Sequence, residues 1–318
     1  MPGPPQQKVV TAMLQQITGN FHFVERGWLS ANHFVYNGRR RMLIDTGYQT
    51  HLGQTLDLIR QTGLDPRSVD LIVSTHGHCD HVGGNRFIQE LSGCEIAMHA
   101  IDRRFIEARD DYHTWWSYYD QQADFFPVHR SLADGENIDL DDLTLEVLHV
   151  PGHAAGQIAL YCPKFRFLIA ADALWQGDFG VLTPAVDGPA APLLQQSTLD
   201  RLAALPLAVI YPGHGPVIRD SRLAIDRCRR RIERFLAEPA AMARDQVKKI
   251  ILYALLMKEG CHEADFFPYL MTTPWYPQTV DLFFPQRYRE LYDDVMAELV
   301  RRNLVIRSGQ RLAAALRA

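Results

Sequence analysis

Apolar positions along the first two thirds of the chain fall in short runs, each closed by a cluster of polar, glycine or proline positions. That rhythm predicts strands interrupted by loops rather than long amphipathic helices. Two strands are predicted around the Thr18-Gly19-Asn20 turn, between Val9 and Phe23. Residues 32–36 and 41–44 are a further pair, separated by Asn37-Gly38, a strong hairpin signal. Between Thr50 and Thr62, Leu52, Leu56, Leu58 and Ile59 are spaced for a helix that Gly63 stops. Residues 69–73 predict a short buried strand, 85–91 a helix and 94–98 a strand. Residues 143–150 alternate apolar and polar, as a half-buried strand does. Residues 158–161 and 167–170 flank Pro163-Lys164 as a hairpin, and 207–210 form the last strand of the series.

Beyond about residue 220 the period changes. Leu223, Ile225, Ile232, Phe235 and Leu236 make the stripe of an arginine-rich helix that Glu238-Pro239 breaks. Residues 245–258 predict a second helix and 286–302 a third, with 304–312 a terminal hairpin. Residues 272–285, punctuated by Pro274, Pro277 and Pro285, read as a loop. The change of pattern divides the chain into a flexible tail at 1–8, a main domain at 9–220 and a helical domain at 221–318.

Several of the apolar runs end in residues able to bind metal. Residues 69–73 lead into Ser74-Thr75-His76-Gly77-His78-Cys79-Asp80-His81, four potential metal ligands within six positions. Later runs deliver His153 in Pro-Gly-His, Asp172 after 167–170, and His214 in a second Pro-Gly-His. A histidine in such a turn projects from a rigid strand end. Seven ligands divide into two sets. His76, His78 and His153 suit one metal, Asp80, His81 and His214 a second, and Asp172 can bridge. Imidazole and carboxylate donors suit zinc first, with iron or manganese as alternatives, and so few ligands per ion leave positions open for chemistry. His99, His113, His129, His149 and His262 are surplus to these sets, and Cys79 reads as the variable position of the motif.

Composition narrows the setting. The chain has 318 residues, 47% of them hydrophobic, enough for a substantial core. A net charge of -4 argues against a nucleic-acid partner, although the arginines at 222–234 keep that class open. Five cysteines without a CxxC pair point to a reducing, cytoplasmic compartment. No stretch is apolar enough to cross a membrane, and the first residues lack the profile of a signal peptide.

Taken together, Asp45-Thr46-Gly47, the His76–His81 motif, Pro-Gly-His153, Asp172 and Gly-His214-Gly resemble the metallo-β-lactamase superfamily, in the family's order and over roughly residues 9–220. The resemblance implies an α+β fold, an αββα sandwich with a dimetal site at one edge. It implies the same two ligand triads and the bridging role of Asp172. Members hydrolyse thioesters, lactones, phosphodiesters and β-lactams, so the fold does not choose a substrate. Class B β-lactamases commonly carry cysteine where this chain has Asp172, and the family's lactonases carry tyrosine where it has Trp175. The metal-site pattern resembles glyoxalase II. The carboxyl-terminal region resembles the winged-helix-like tail of a branch (lactamase-β-like protein 2) that includes an endoribonuclease.

The expected function is dinuclear hydrolysis of a small ester or thioester. A metal-bound hydroxide attacks the carbonyl, with Asp80 or Asp172 orienting it and relaying its proton. The alternatives are a phosphodiesterase or endoribonuclease on the same metals, a low-turnover binding or regulatory protein, and an iron oxygenase. The aromatic stretch at 112–126 reads as a lid or pocket wall, or as core or a homodimer interface.

Overall fold

The computed structural model describes residues 12–316, so the expected tail at 1–8 and the start of the first predicted strand lie outside the described residues. Fifteen strands form three sheets among the described residues. The first holds β1 (Met13–Thr18), β2 (Phe21–Glu25), β3 (His33–Asn37), β4 (Arg41–Ile44), β5 (Leu71–Val73), β6 (Glu95–His99) and β7 (Arg130–Leu132), in that spatial order. Pairing is antiparallel from β1 to β4 and parallel from β4 to β7. The second sheet comprises β8 (Asn137–Leu140), β9 (Leu143–His149), β10 (Ile158–Cys162), β11 (Phe167–Ala171) and β12 (Val209–Pro212), ordered β12-β11-β10-β9-β8. Only its β11–β12 pair is parallel.

Both faces of these sheets are covered, and the two-residue period of a strand divides the side chains between them. Phe21, Phe34, Met42, Ile44, Leu71 and Val73 meet Leu145, Val147, Ile158, Leu160, Phe167 and Ile169 in one core between the sheets. Val35, Leu43, Ile72 and Ile96 face outward onto Leu58, Ile59, Ile88 and Ile106, from the helices Leu52–Gln61, Asn85–Ser92 and Ala100–Ala108. On the far side, Leu148, Ala159, Leu168 and Ala170 pack against Leu199, Leu202, Ile225 and Ile232, from the helices Ala191–Ala203 and Ser221–Ala237. The result is the four-layer αββα sandwich.

This arrangement brings distant loops to one edge. Strands β4 and β5 run parallel, so their carboxyl ends emerge together at Asp45 and at Ser74-Thr75-His76. Strands β9 and β11 each run antiparallel to β10, and β12 runs parallel to β11. Their ends therefore deliver His153, Asp172 and His214 on a common side. Backbone hydrogen bonds stitch the loops across the sandwich: Ile158 N to Thr75 O at 2.9 Å, Asn32 N to Gly213 O at 2.7 Å and Ala31 N to Asp80 O at 3.0 Å.

The carboxyl-terminal region is mainly helical, with helices Pro239–Met257, Glu263–Thr272, Trp275–Phe283 and Tyr288–Arg301. A small sheet, β13 (Cys261–His262), β14 (Val305–Ser308) and β15 (Arg311–Ala314), has the order β13-β15-β14. Residues 272–285 are not the loop their prolines suggest. Pro274 precedes the helix Trp275–Phe283 and Pro277 sits in its first turn, where a missing N–H leaves no hydrogen bond unmade. The arginine-rich helix Ser221–Ala237 does stop at Glu238-Pro239 as its pattern predicts, but Pro239 opens no loop. It is the first residue of the next helix, which starts six residues before the predicted one.

Candidate metal centre

The segment from Ser74 to His81 leaves β5 extended, then turns into the short helix Cys79–Val82. The rings of His76 and His78 lie beside His153, with centroids 5.1 and 4.6 Å away, and the helical turn that follows carries Asp80 and His81. Three sets of ligand atoms lie within 4.8 Å of one another: His76, His78 and His153; Asp80, His81 and His214; and His76, His81 and Asp172. All seven side chains are buried. His78 Nδ1 and His153 Nε2 face each other at 2.9 Å, and His214 Nε2 lies 3.1 Å from Asp80 Oδ2. Asp172 Oδ2 sits among three imidazoles, 3.4 Å from His153, 3.6 Å from His81 and 3.8 Å from His214.

The donor chemistry fits divalent metal. Nε2 of His76 and His81 are buried without any hydrogen-bond partner, an arrangement that costs desolvation unless a cation takes the lone pair. Burial, helped by the neighbouring imidazoles, holds His76 and His78 well below the usual histidine range, so both stay neutral donors. Burial also lowers His81, but the carboxylates of Asp45, Asp172 and Asp80 outweigh it and raise the ring well above that range. Burial pushes Asp172 up, while His214, His81 and His153 outweigh it and hold the carboxyl far down.

Surrounding groups orient the ligands. Asp45, at φ 58, presents Oδ2 to His81 Nδ1 at 2.7 Å and accepts the Thr75 amide and hydroxyl at 2.8 and 2.7 Å. His153 Nδ1 donates to Val181 O at 2.7 Å, which turns its Nε2 inward. A Cβ at Gly180 would strike the His153 ring, so only glycine lets the chain pass there. Trp175 Nε1 donates to Asp172 Oδ1 at 3.0 Å, leaving Oδ2 to the imidazoles. The Trp28 ring lies parallel to His214, 5.8 Å between centroids.

The aromatic stretch turns out to be mostly structural. Trp115 stacks on His78 with centroids 3.9 Å apart and donates to Asp187 Oδ2 at 2.9 Å, and Trp116 donates to Gly77 O at 3.1 Å. Tyr118 and Tyr119 are buried against the carboxyl-terminal helices. Trp115 alone of these four lines the cavity over the metal centre. Cys79 belongs to none of the three ligand sets, and its Sγ donates to Gln121 Oε1 at 3.2 Å. His99, His113, His129, His149 and His262 belong to none of the three ligand sets. The hydrophobic pattern gave no warning of Trp28, Asp102 or Asp187. Asp102 follows β6 at the same sheet edge as the ligands, and that position was the one available signal.

The model of the metallo-beta-lactamase superfamily matches residues 26–214, which take in every one of these ligands. The chain belongs to that superfamily. Among its relatives is a hydroxyacylglutathione hydrolase from Pseudomonas aeruginosa, 32% identical over 163 residues, 51% of this chain and 53% of that protein. Another is acyl-coenzyme A thioesterase MBLAC2 from Gallus gallus, 31% identical over 186 residues, 50% of this chain and 64% of that one. The chain thus spans about half the length of the first curated relatives it matches. A metallo-beta-lactamase family protein from Thermus thermophilus shares the fold at TM-score 0.57 and 22% identity, over 94% of this chain and all of that one. Its match extends the likeness of fold into the carboxyl-terminal helices.

Proposed function

We propose that this superfamily member is a dinuclear metal-dependent hydrolase acting on esters or thioesters. The observation that carries the reading is the set of buried, unpartnered imidazole nitrogens converging with Asp80 and Asp172. His76, His78 and His153 would hold one ion and Asp80, His81 and His214 the other, with Asp172 shared. Zinc suits this donor set best, with iron or manganese as alternatives. Two such ions would supply Lewis acidity and an ionised water at neutral pH.

The chain's own residues do the rest. Asp45 and Thr75 fix the His81 ring, and the Val181 carbonyl fixes His153. Trp175 restrains Asp172 so that one carboxylate oxygen faces the centre. Asp80 and Asp172 would hold the attacking water and take its proton. Trp28, Trp115 and Trp175 wall the cavity and exclude bulk water, which strengthens every electrostatic interaction inside it. The relatives' names, a hydroxyacylglutathione hydrolase and an acyl-coenzyme A thioesterase, support a thioester among the substrates.

A phosphodiester substrate has less support. Of the arginines on the helix Ser221–Ala237, only Arg231 lines the cavity, and Arg222, Arg227, Arg230 and Arg234 are exposed. Five free cysteines support a reducing, cytoplasmic setting, and no helix among the described residues is long and apolar enough to cross a membrane. His76→Ala and Asp80→Ala are expected to lose bound metal and at least about a hundredfold in turnover while keeping the fold. Retained thioester hydrolysis in either variant would overturn the reading.

A further inference from the structure

Residues 172–183, between β11 and the helix Pro184–Asp187, contain neither helix nor strand, and two ligands of the proposed centre depend on them. Asp172 is the first residue of the segment, with Oδ1 held by Trp175, and the Val181 carbonyl accepts from His153 Nδ1. A Cβ at Gly180 would lie 2.3 Å from His153 Nδ1, so the segment runs against the ring itself. Two backbone hydrogen bonds shape its first part, Trp175 N to Asp178 O at 2.7 Å and Gly180 N to Asp172 O at 2.8 Å. Where this loop lies therefore sets where an ion would meet both ligands. A loop without regular structure keeps one position only if its surroundings offset the entropy of holding it.

What holds it comes from the carboxyl-terminal region. Lys249, on the helix Pro239–Met257, has an acceptor for each of its three N–H groups: Asp178 Oδ1 at 2.9 Å, Phe179 O at 2.7 Å and Asp245 Oδ2 at 3.1 Å. Its Nζ also stands 5.2 Å from the Trp175 ring centre and 5.7 Å from that of Phe179. Arg231, on the helix Ser221–Ala237, lies 2.9 Å from Asp178 and pairs with Asp245. Two cations and two carboxylates therefore balance, and Asp178 is the member that the loop supplies. Burial lowers the Lys249 amine, but the carboxylates of Asp178 and Asp245 outweigh it and raise the amine above the usual lysine value, so the charge is kept. Lys249 lines the cavity over the metal centre, but with every N–H taken it has none to offer a substrate.

We infer that Lys249 is a positioning residue of the metal centre: by tying residues 172–183 to the carboxyl-terminal helices it fixes Asp172 and His153 for metal. The inference rests on the metal-centre reading above, and it makes the carboxyl-terminal region a working part of that centre.

The test measures metal binding directly. Chelator-stripped protein is titrated with zinc against a chromophoric chelator, and with cobalt(II), whose visible absorption reports the arrangement of its ligands. Lys249→Met leaves Asp178 and Asp245 with one cation between them, and is expected to lower both Tm and metal affinity. Combining it with Asp178→Asn leaves Arg231 matched to Asp245 and the loop without its charged tether. Tm of the stripped double variant should return close to the wild-type value, while zinc affinity stays about tenfold weaker and the cobalt spectrum stays altered. Arg244→Met removes a cation of the same helix that pairs with Glu298 and not with the loop, and should change neither readout. Hydrogen exchange in stripped protein should be faster at the Trp175 and Gly180 amides of the double variant and unchanged in β10. Zinc affinity that recovers together with Tm in the double variant, or an equal loss in Arg244→Met, would overturn the inference. A wild-type protein that takes up no metal would instead overturn the metal-centre reading. Exchange at Trp175 and Gly180 would still decide whether Lys249 holds the loop, and unchanged exchange would overturn that too.

Discussion

At the scale of single residues, three of the proposed ligands are each held by a neighbour that chooses their orientation. Asp45 holds His81, the Val181 carbonyl holds His153, and Trp175 holds Asp172. The last is the most informative, because the tryptophan stands where the family's lactonases carry tyrosine. Its indole N–H is spent on the Asp172 carboxylate and is not free for a substrate. Trp175→Phe keeps the ring against Trp28 and His214 but removes the N–H. The expected loss is about ten- to a hundredfold in metal affinity or kcat, with an unchanged circular dichroism spectrum. Wild-type metal affinity and kcat in that variant would mean that Asp172 needs no such restraint.

At the scale of elements, the metal loop is supported from behind by the helix Ala100–Ala108. Its Asp102 accepts the Gly77 amide at 2.8 Å and is buried. Burial pushes that carboxyl up to about 7, against the backbone N–H groups of Gly77 and Gly156. A carboxyl raised on folding is favoured in its neutral form. Its contribution is complete below the unfolded value and is lost as pH rises from about 4 through about 7, by at most about 4 kcal/mol. Denaturant unfolding from pH 4 to pH 8 should show that decline, and Asp102→Asn should flatten it. A decline of the same slope in the variant would place its origin elsewhere. Asp102 also marks the limit of what sequence could disclose. The strands were legible because burial on both faces makes them apolar, and the ligands were legible because each follows a strand. The helices Ala191–Ala203 and Trp275–Phe283 were not, since neither shows a clean stripe with a visible start and stop. Contacts such as Trp28 on His214 join segments far apart in the chain, and no local pattern encodes them.

At the scale of the whole molecule, the seven proposed ligands are buried and come from four strand ends, which leaves polar groups gathered where bound cations would satisfy them. Metal binding should therefore stabilise the fold. At free metal about a hundredfold above Kd the expected gain is about 2.7 kcal/mol per site, read as a rise in Tm on adding zinc to stripped protein. No change in Tm would contradict a preformed centre. The most direct test of the central claim is thioester hydrolysis measured as zinc is titrated into chelator-stripped protein. Activity should be absent at the start and rise to a plateau at two equivalents per chain, and full activity in the metal-free protein would contradict the account.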